Sequence, residues 1–452
     1  MVSSLLRRFP WRRNLGSSNW TSQFTRIRFI SDKVDAASSN CRSPGAAAAN
    51  ESGGFVAVSD ESVSILPSTT SSSPPPWLML PPTFGENRKI VYNFYSISED
   101  KVVNLKNRGG GEEEEEIELF DKHEIVGSSH GWLALCNHRE EQQFLYNPLS
   151  NRRVELPPID ALPVHEDYED YCTPLNKLII SCSPEEQEHC VAMMSYSMDE
   201  RLAFCSCPSR AAAEWTPIGE WSHAFEDKTL PRAYQDFVYS GKHKLFFCVT
   251  EFGDFEAWDF KDPNSPEMTP MDLKSDKDNY PYGSACKMEE YMLKRESKSV
   301  KYLVVAEQTG ELFLVRRFIL NPEYDSGPVS GEKTAPYMTV SFDVHKIDLQ
   351  NGELIYMESS LDGLAIFIGI NHGFAISAAE ELKLSPNSIY FTDSKEYCPR
   401  YWDKDREYGG HDNGVFNYKT RTFSSCYFPA AATNSETQSI KRIVPPPIWF
   451  TP

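Results

Sequence analysis

In Leu145-Tyr146-Asn147, Pro148-Leu149-Ser150 and Val154-Glu155-Leu156, an apolar run closes on a polar residue, turns, and resumes as a second short strand. The same pattern returns five times. The copies are Val91-Tyr92-Asn93 with Val102-Val103, and Ala203-Phe204-Cys205 with Trp215 to Ile218. Then come Ala257-Trp258-Asp259 with Met268 to Met271, Lys346-Ile347-Asp348 with Leu354 to Tyr356, and Val415-Phe416-Asn417 with Phe423 to Tyr427. Short runs of β-branched and aromatic residues, each broken by Asn, Asp, Gly, Pro or Ser, read as strands and turns. The polar positions 93, 147, 205, 259, 348 and 417 are 54, 58, 54, 89 and 69 residues apart. Other strands lie between them, as at Phe237 to Tyr239, Leu245 to Thr250, Tyr302 to Glu307 and Leu312 to Phe318. The last two flank the hairpin turn Gln308-Thr309-Gly310. Roughly 55–70 residues and four strands per unit is the arithmetic of propeller blades. A polar insertion at about 321–337 accounts for the long gap. The expected fold is all-β, a β-propeller of six blades; a sandwich would need no such recurrence.

The first hairpin, at 90–105, has no obvious inner strands before it. The chain ends on Ile448-Trp449-Phe450 after Pro445-Pro446-Pro447. Chain termini are usually polar and frayed. A propeller leaves no open seam when a C-terminal strand pairs into the N-terminal blade. The three residues are therefore expected to complete the blade that contains Tyr92 and Phe94.

Composition narrows the function. Apolar residues are 40% and aromatic residues 12% of 452, enough for a large core. No apolar run approaches the ~20 residues of a membrane span. Asp plus Glu is 65 against 45 Lys plus Arg, a net charge of −20, which disfavours binding to a phosphate backbone.

Residues 1–31 differ from the rest. They hold Arg7, Arg8, Arg12, Arg13, Arg26 and Arg28, several serines, and no Asp, Glu or Lys. That is the composition of an organellar transit peptide, and no secretory h-region is present. Arg predominance favours the mitochondrion, with the plastid as the alternative. Losing the six arginines takes the charge from −20 to −26. Residues 32–76 read as a Ser/Ala/Pro-rich disordered linker, and 77–452 as the propeller domain.

Gly127-Ser128-Ser129-His130-Gly131 fits the Gly-x-Ser-x-Gly elbow of hydrolases, with Ser129 the nominal nucleophile. That elbow needs a following helix. Trp132 to Cys136 reads instead as a strand, so the glycines and serines form a tight turn. His165, Glu166, Asp167, Glu169 and Asp170 read as a solvated acidic loop. The eleven cysteines contain no Cys-x-x-Cys pair and read as reduced, buried thiols. His189-Cys190 with Cys182, Cys205 and Cys207 matches no common zinc module, and Cys205 and Cys207 share one face of a strand. Arg316-Arg317 and Lys294-Arg295 read as strand-end charges. The expectation is no catalytic, metal or cofactor-binding residue.

Several stretches occur together in one known family. They are Pro76 to Leu80, Ser128 to Leu133, Asn147 to Ser150 with Leu156-Pro157-Pro158, and Leu202 to Phe204 with Trp215 to Ile218. They continue with Glu256 to Asp259, Glu311 to Arg317, Pro386 to Asp393 and Pro445 to Phe450. From Trp77 to Pro452 the chain resembles the plant domain-of-unknown-function 295 family, the KIB-type β-propeller proteins. Many members carry an F-box before the propeller and act as ubiquitin-ligase substrate receptors. Upstream of Trp77 this sequence has only the transit-like segment and the linker. It therefore resembles the family's organellar branch without the F-box. The resemblance implies an organelle-targeted, non-catalytic scaffold that binds protein partners at its loop faces. The alternatives are an F-box-type substrate receptor and a hydrolase using Ser129.

Overall fold

Strand Ile90–Ser96 buries every second side chain, Ile90, Tyr92, Phe94 and Ser96, because alternate residues of a strand face one side. Lys101–Lys106 pairs on its outer edge and Trp77–Phe84 on its inner edge; Trp77–Phe84 in turn pairs with Ile448–Phe450. A computed structural model describes residues 75–452 apart from 85–89, 107–122, 138–139, 141, 164–174, 186–189, 198–199, 208–213, 221, 226–227, 276–287, 321–335, 379–381, 395–408, 429–432 and 435–440. The targeting segment, nearly all of the linker and the acidic cluster at 165–170 lie outside the described residues.

The second sheet takes Glu124–Ser129, Trp132–Asn137, Gln142–Asn147 and Arg152–Glu155 in chain order. The third takes Leu175–Ile180, Cys190–Tyr196, Arg201–Cys207 and Thr216–Ile218. The fourth takes Tyr234–Ser240, Leu245–Thr250, Phe255–Asp259 and Glu267–Met271. The fifth is Lys298–Ala306, Glu311–Leu320, Met338–Asp348 and Glu353–Tyr356, with the short Lys274–Ser275 parallel to its edge. The sixth departs from this plan. Its order is Phe374–Ser377, Leu364–Ile368, Ser388–Phe391, Gly414–Asn417, Thr422–Ser424, and Leu364–Ile368 runs parallel to Ser388–Phe391. One parallel pair, Val305 with Phe374, joins the fifth sheet to the sixth.

The apolar cores lie between sheets. Tyr92, Phe94 and Phe450 of the first sheet pack on Leu133, Leu135 and Phe144 of the second. Trp132 and Leu145 of the second meet Leu178 and Met194 of the third. Phe204 of the third meets Phe237 and Phe246 of the fourth, and Val249 of the fourth meets Leu303 and Leu314 of the fifth. Phe342 of the fifth packs on Phe391 and Phe416 of the sixth. Phe367 and Tyr390 of the sixth pack on Leu78 and Trp449 of the first. Aromatic and β-branched residues thus serve two sheets at once, which is why so many are needed.

All six recurrent pairs are adjacent antiparallel strands at the outer part of a sheet. Four of the polar residues end their strands and bind the turn. Asn147 Oδ1 accepts from the N–H of Leu149 and Ser150, Asp259 from Lys261, Asp348 from Gln350 and Asn351, and Asn417 from Thr420. Asn93 and Cys205 instead lie inside their strands; there the recurrence marks the strand, not the turn.

Three expectations need correction. An inner strand does precede the first hairpin. Trp77–Phe84 was obscured by Pro81-Pro82, which cannot donate to a ladder; a register shift between Leu80 and Thr83 accommodates them. The long gap also holds helix α1, Met288–Arg295; residues 321–335 lie outside the described residues. Lys294-Arg295 forms the last turn of α1 and not a strand end, and neither is Arg317 a strand-end charge. It sits inside Glu311–Leu320 and is fully buried.

Candidate functional site at the central axis

The innermost strands run side by side in one direction. Gly127 lies against Leu178, Lys177 reaches Asp236, Asp236 reaches Leu303, and Val305 pairs with Phe374. The approach is close: a Cβ on Gly127 would stand 1.8 Å from the Leu178 carbonyl oxygen. An innermost strand has one edge with no ladder partner, and its buried N–H groups need acceptors. Side chains of the neighbouring sheet supply them. Ile180 N donates to Ser129 Oγ at 3.0 Å. Leu303 N donates to Asp236 Oδ2 at 2.7 Å and Lys301 N to Gln235 Oε1 at 3.2 Å. Asp236 Oδ1 is held by Lys177 Nζ at 2.6 Å, both side chains being buried.

The connection Gly369–Gly373 of the sixth sheet reaches three other sheets. His372 N donates to Ser128 O of the second sheet at 2.8 Å. The His372 ring Nε2 lies 2.9 Å from the Tyr239 carbonyl oxygen and 3.2 Å from its N–H, in the fourth sheet. Its role as donor or acceptor there depends on the tautomer. Val305 N of the fifth sheet donates to Gly373 O at 3.1 Å. A Cβ on Gly373 would stand 2.1 Å from Leu303 O. One short segment touches these three sheets because it crosses the axis. Asn371 Nδ2 donates to His372 O, stiffening the crossing. Burial, with the nearby His130 and Lys177 charges, lowers the His372 pKa to about 3, so the ring is neutral.

Ser129 is part of this structure, not a nucleophile elbow. Strand Glu124–Ser129 is followed by a turn at His130 and Gly131, with φ of 51° and 77°, and then by strand Trp132–Asn137. No helix follows, and the Ser129 hydroxyl already binds Ile180. His130 is exposed on the turn, its ring 6.0 Å from that of His372. Trp132 is buried between the second and third sheets, with Nε1 donating to Ser183 Oγ.

Cys136, Cys182, Cys190, Cys205 and Cys207 gather in that same core. Cys205 and Cys207 share the buried face of their strand. Among the described residues, no group of three or more His, Cys, Asp or Glu is placed to hold a metal ion. No helix among them is long and apolar enough to cross a membrane.

Arg317 ties the fifth sheet to the sixth. It donates to Thr339 Oγ1, to Thr392 O, and to Asp412 through both its main-chain oxygen and Oδ2. Sequence reading missed Arg317, Asp412, Lys177, Asp236 and His372. For Arg317 a signal existed: Phe318-Ile319-Leu320 continues the apolar run beyond it. For the others none did, since each partner lies in another sheet.

Among solved structures, the chain is similar to the β-propeller domain of Cps50 (Swd1) from Myceliophthora thermophila. The identity is 8% and the TM-score 0.32, over 80% of this chain and 91% of that one. It is also similar to the Nup133 β-propeller domain of Vanderwaltozyma polyspora, at 10% identity and TM-score 0.26, over 63% and 72%. No curated protein matches the sequence significantly. The profile described as KIB1-4 beta-propeller matches residues 94–417, most of the chain. With its sheets packed face to face about an axis of inner strands, the chain belongs to the KIB1-4 β-propeller family.

Proposed function

We propose that this protein is an organelle-targeted, non-catalytic scaffold: a six-bladed propeller, closed by Ile448–Phe450, that binds protein partners. The observation that carries the scaffold reading is the use made of the polar groups at the axis. Ser129, Asp236, Gln235 and His372 each bind main-chain groups of another sheet, which leaves them to hold a platform rigid. Loops on a rigid scaffold are where binding surfaces arise. The turns at 130–131, 241–244 and 307–310 follow the inner strands and present such loops. We assign partner binding to the loop faces. The Arg-rich, acid-free segment 1–31 supports mitochondrial delivery.

Affinity capture of the full-length protein after import, read by mass spectrometry, tests the scaffold. A stable protein complex that survives Ser129→Ala is expected. Stable capture of a ubiquitin-ligase adaptor would favour the substrate-receptor reading instead, and a Ser129-dependent hydrolysis would overturn the non-catalytic one. Residues 1–60 fused to a reporter should reach mitochondria. Exchange of Arg7, Arg8, Arg12 and Arg13 for Glu should leave it in the cytosol.

A further inference from the structure

We propose that Cys182 and Cys190 form a dithiol that a hydroperoxide oxidises to a disulfide. The third sheet sets three thiols in a row. The last ladder pair is Ile180 with Ala192; the same register carried two residues further sets Ser181 opposite Val191 and Cys182 opposite Cys190, and Cys190 stands opposite Cys207 on its other side. Directly opposed residues share one face of a sheet, and all three contribute to the core facing the second sheet.

The two opposed pairs are not equivalent. Antiparallel positions alternate between hydrogen-bonded pairs, with Cα atoms about 5.5 Å apart, and non-bonded pairs at about 4.5 Å with closer side chains. Ser181 N donates to Val191 O at 2.9 Å. Val191 N returns to the Ser181 hydroxyl at 2.9 Å in place of its carbonyl, so 181/191 keeps the phase of the bonded position and 182/190 that of the close, non-bonded one. The groups of Cys190 that do not face Cys182 then face Cys207, in a bonded pair with wider spacing. A disulfide needs Cβ atoms about 3.5–4.5 Å apart, which the 182/190 position meets more readily. Cys190 Sγ already lies 3.0 Å from the Cys182 carbonyl oxygen.

Access separates the two roles. Cys182 is half-buried beyond the last paired residue of its strand, whereas Cys190 and Cys207 are buried. The hydrogen bond from Cys182 favours the Cys190 thiolate, but the contact with Cys207 and burial outweigh it and push the Cys190 thiol up to about 12. Cys182 is therefore the sulfur that meets the oxidant, and Cys190 resolves it. In the first step Cys182 sulfur takes one peroxide oxygen, the O–O bond breaks, and an alcohol or water leaves. In the second, Cys190 sulfur displaces water from the sulfenic acid and loses its proton. Two thiols and one hydroperoxide thus give one disulfide, one alcohol and one water.

The test treats folded full-length protein with hydrogen peroxide, blocks remaining thiols, and maps peptides without reduction. A dithiothreitol-reversible Cys182–Cys190 link is expected. It should fall more than tenfold in Cys182→Ser and in Cys190→Ser, and persist in Cys207→Ser. If Cys190→Ser fails to fold by circular dichroism, Cys182→Ser at the strand end carries the comparison. The two cysteines are close in sequence, so the reaction is repeated in urea, where links to other cysteines should replace this one. A Cys190–Cys207 link, irreversible oxidation of Cys182 with no link, or the same yield in urea would overturn the proposal.

Discussion

At the rim, Asn147, Asp348 and Asn417 bind N–H groups two or three residues further along. At the axis, Ser129 binds a partner 51 residues away, Lys177 one at 59, Asp236 one at 67 and Tyr239 one at 133. The rim closes each hairpin on itself; the axis closes one sheet on another. Rim groups also face water, which can replace a lost partner. Axis groups are buried, and a lost partner leaves an uncompensated donor, acceptor or charge. Changes at the axis should therefore cost several times more than changes at the rim.

Removing residues 445–452 should have the largest effect. Ile448, Trp449 and Phe450 are almost fully buried and form the inner strand beside Trp77–Met79. Phe450 packs on Phe94, and Trp449 edge-on against Phe367 of the sixth sheet. At roughly 1.5–3 kcal/mol for each large side chain, the loss rivals a typical domain stability of about 5–15 kcal/mol. Calorimetry should show no cooperative unfolding transition near that of the full chain, and the truncated protein should aggregate. Unchanged melting would remove this strand from the ring.

Breaking the Lys177–Asp236 pair comes next. Lys177→Met keeps the length of the side chain but leaves Asp236 buried with only the Leu303 N–H. An uncompensated buried charge costs about 3–5 kcal/mol. The double variant with Asp236→Asn should recover part of that loss, because the neutral amide still accepts from Leu303. Denaturant unfolding of the four corners of this cycle measures both. A Lys177→Met cost below about 1 kcal/mol would mean that the axis is not the rigid part.

His372 sets a smaller, pH-dependent effect. Its folded pKa is depressed to about 3 from an unfolded value of about 6.5. The unfolded chain thus binds more protons between these values. The contribution is fully present above about pH 6.5 and is lost as pH falls towards 3. From pH 7 to pH 5 this group should cost roughly 2 kcal/mol. His345, lowered by burial to about 4 despite the nearby Asp343, adds in the same direction. His372→Gln removes the first titration, so its stability should fall less steeply across that window. Identical slopes for variant and parent would place the titration elsewhere.

The same division explains what could be read from sequence. All six outer pairs were legible because each apolar run, its turn and the second strand lie close together in sequence, and in four of them an Asn or Asp also binds the turn. So was the fate of Ile448–Phe450, since three large apolar side chains at a terminus demand burial. The inner strand Trp77–Phe84 was hidden by two prolines, and α1 by being only two turns long. The crossing segment Ile370-Asn371-His372 carries no periodicity at all; its residues acquire meaning only from Ser128, Tyr239 and Val305. Lys177 and Asp236 stand 59 residues apart among apolar neighbours, with nothing in the sequence to mark either as the partner of the other.

The smallest effect should come from Asn417 at the rim. Its Oδ1 accepts the N–H of Thr420 at 2.9 Å and closes the turn between Gly414–Asn417 and Thr422–Ser424, where Arg421 has a φ of 56°. Asn417→Ala removes that acceptor, but Thr420 is exposed and water takes its N–H. The net value of such a hydrogen bond is about 1 kcal/mol, no more than about 2 °C in the melting temperature of a domain this large. Asn417→Asp keeps the accepting oxygen and should be closer to neutral. Thr422–Ser424 is the last strand of its sheet, so any loosening should stay local. Hydrogen exchange should quicken at Thr420 and Thr422 and stay unchanged at Val305, whose N–H is held by the crossing segment. Faster exchange at Val305 would mean that rim and axis are coupled, and the division between them would fail.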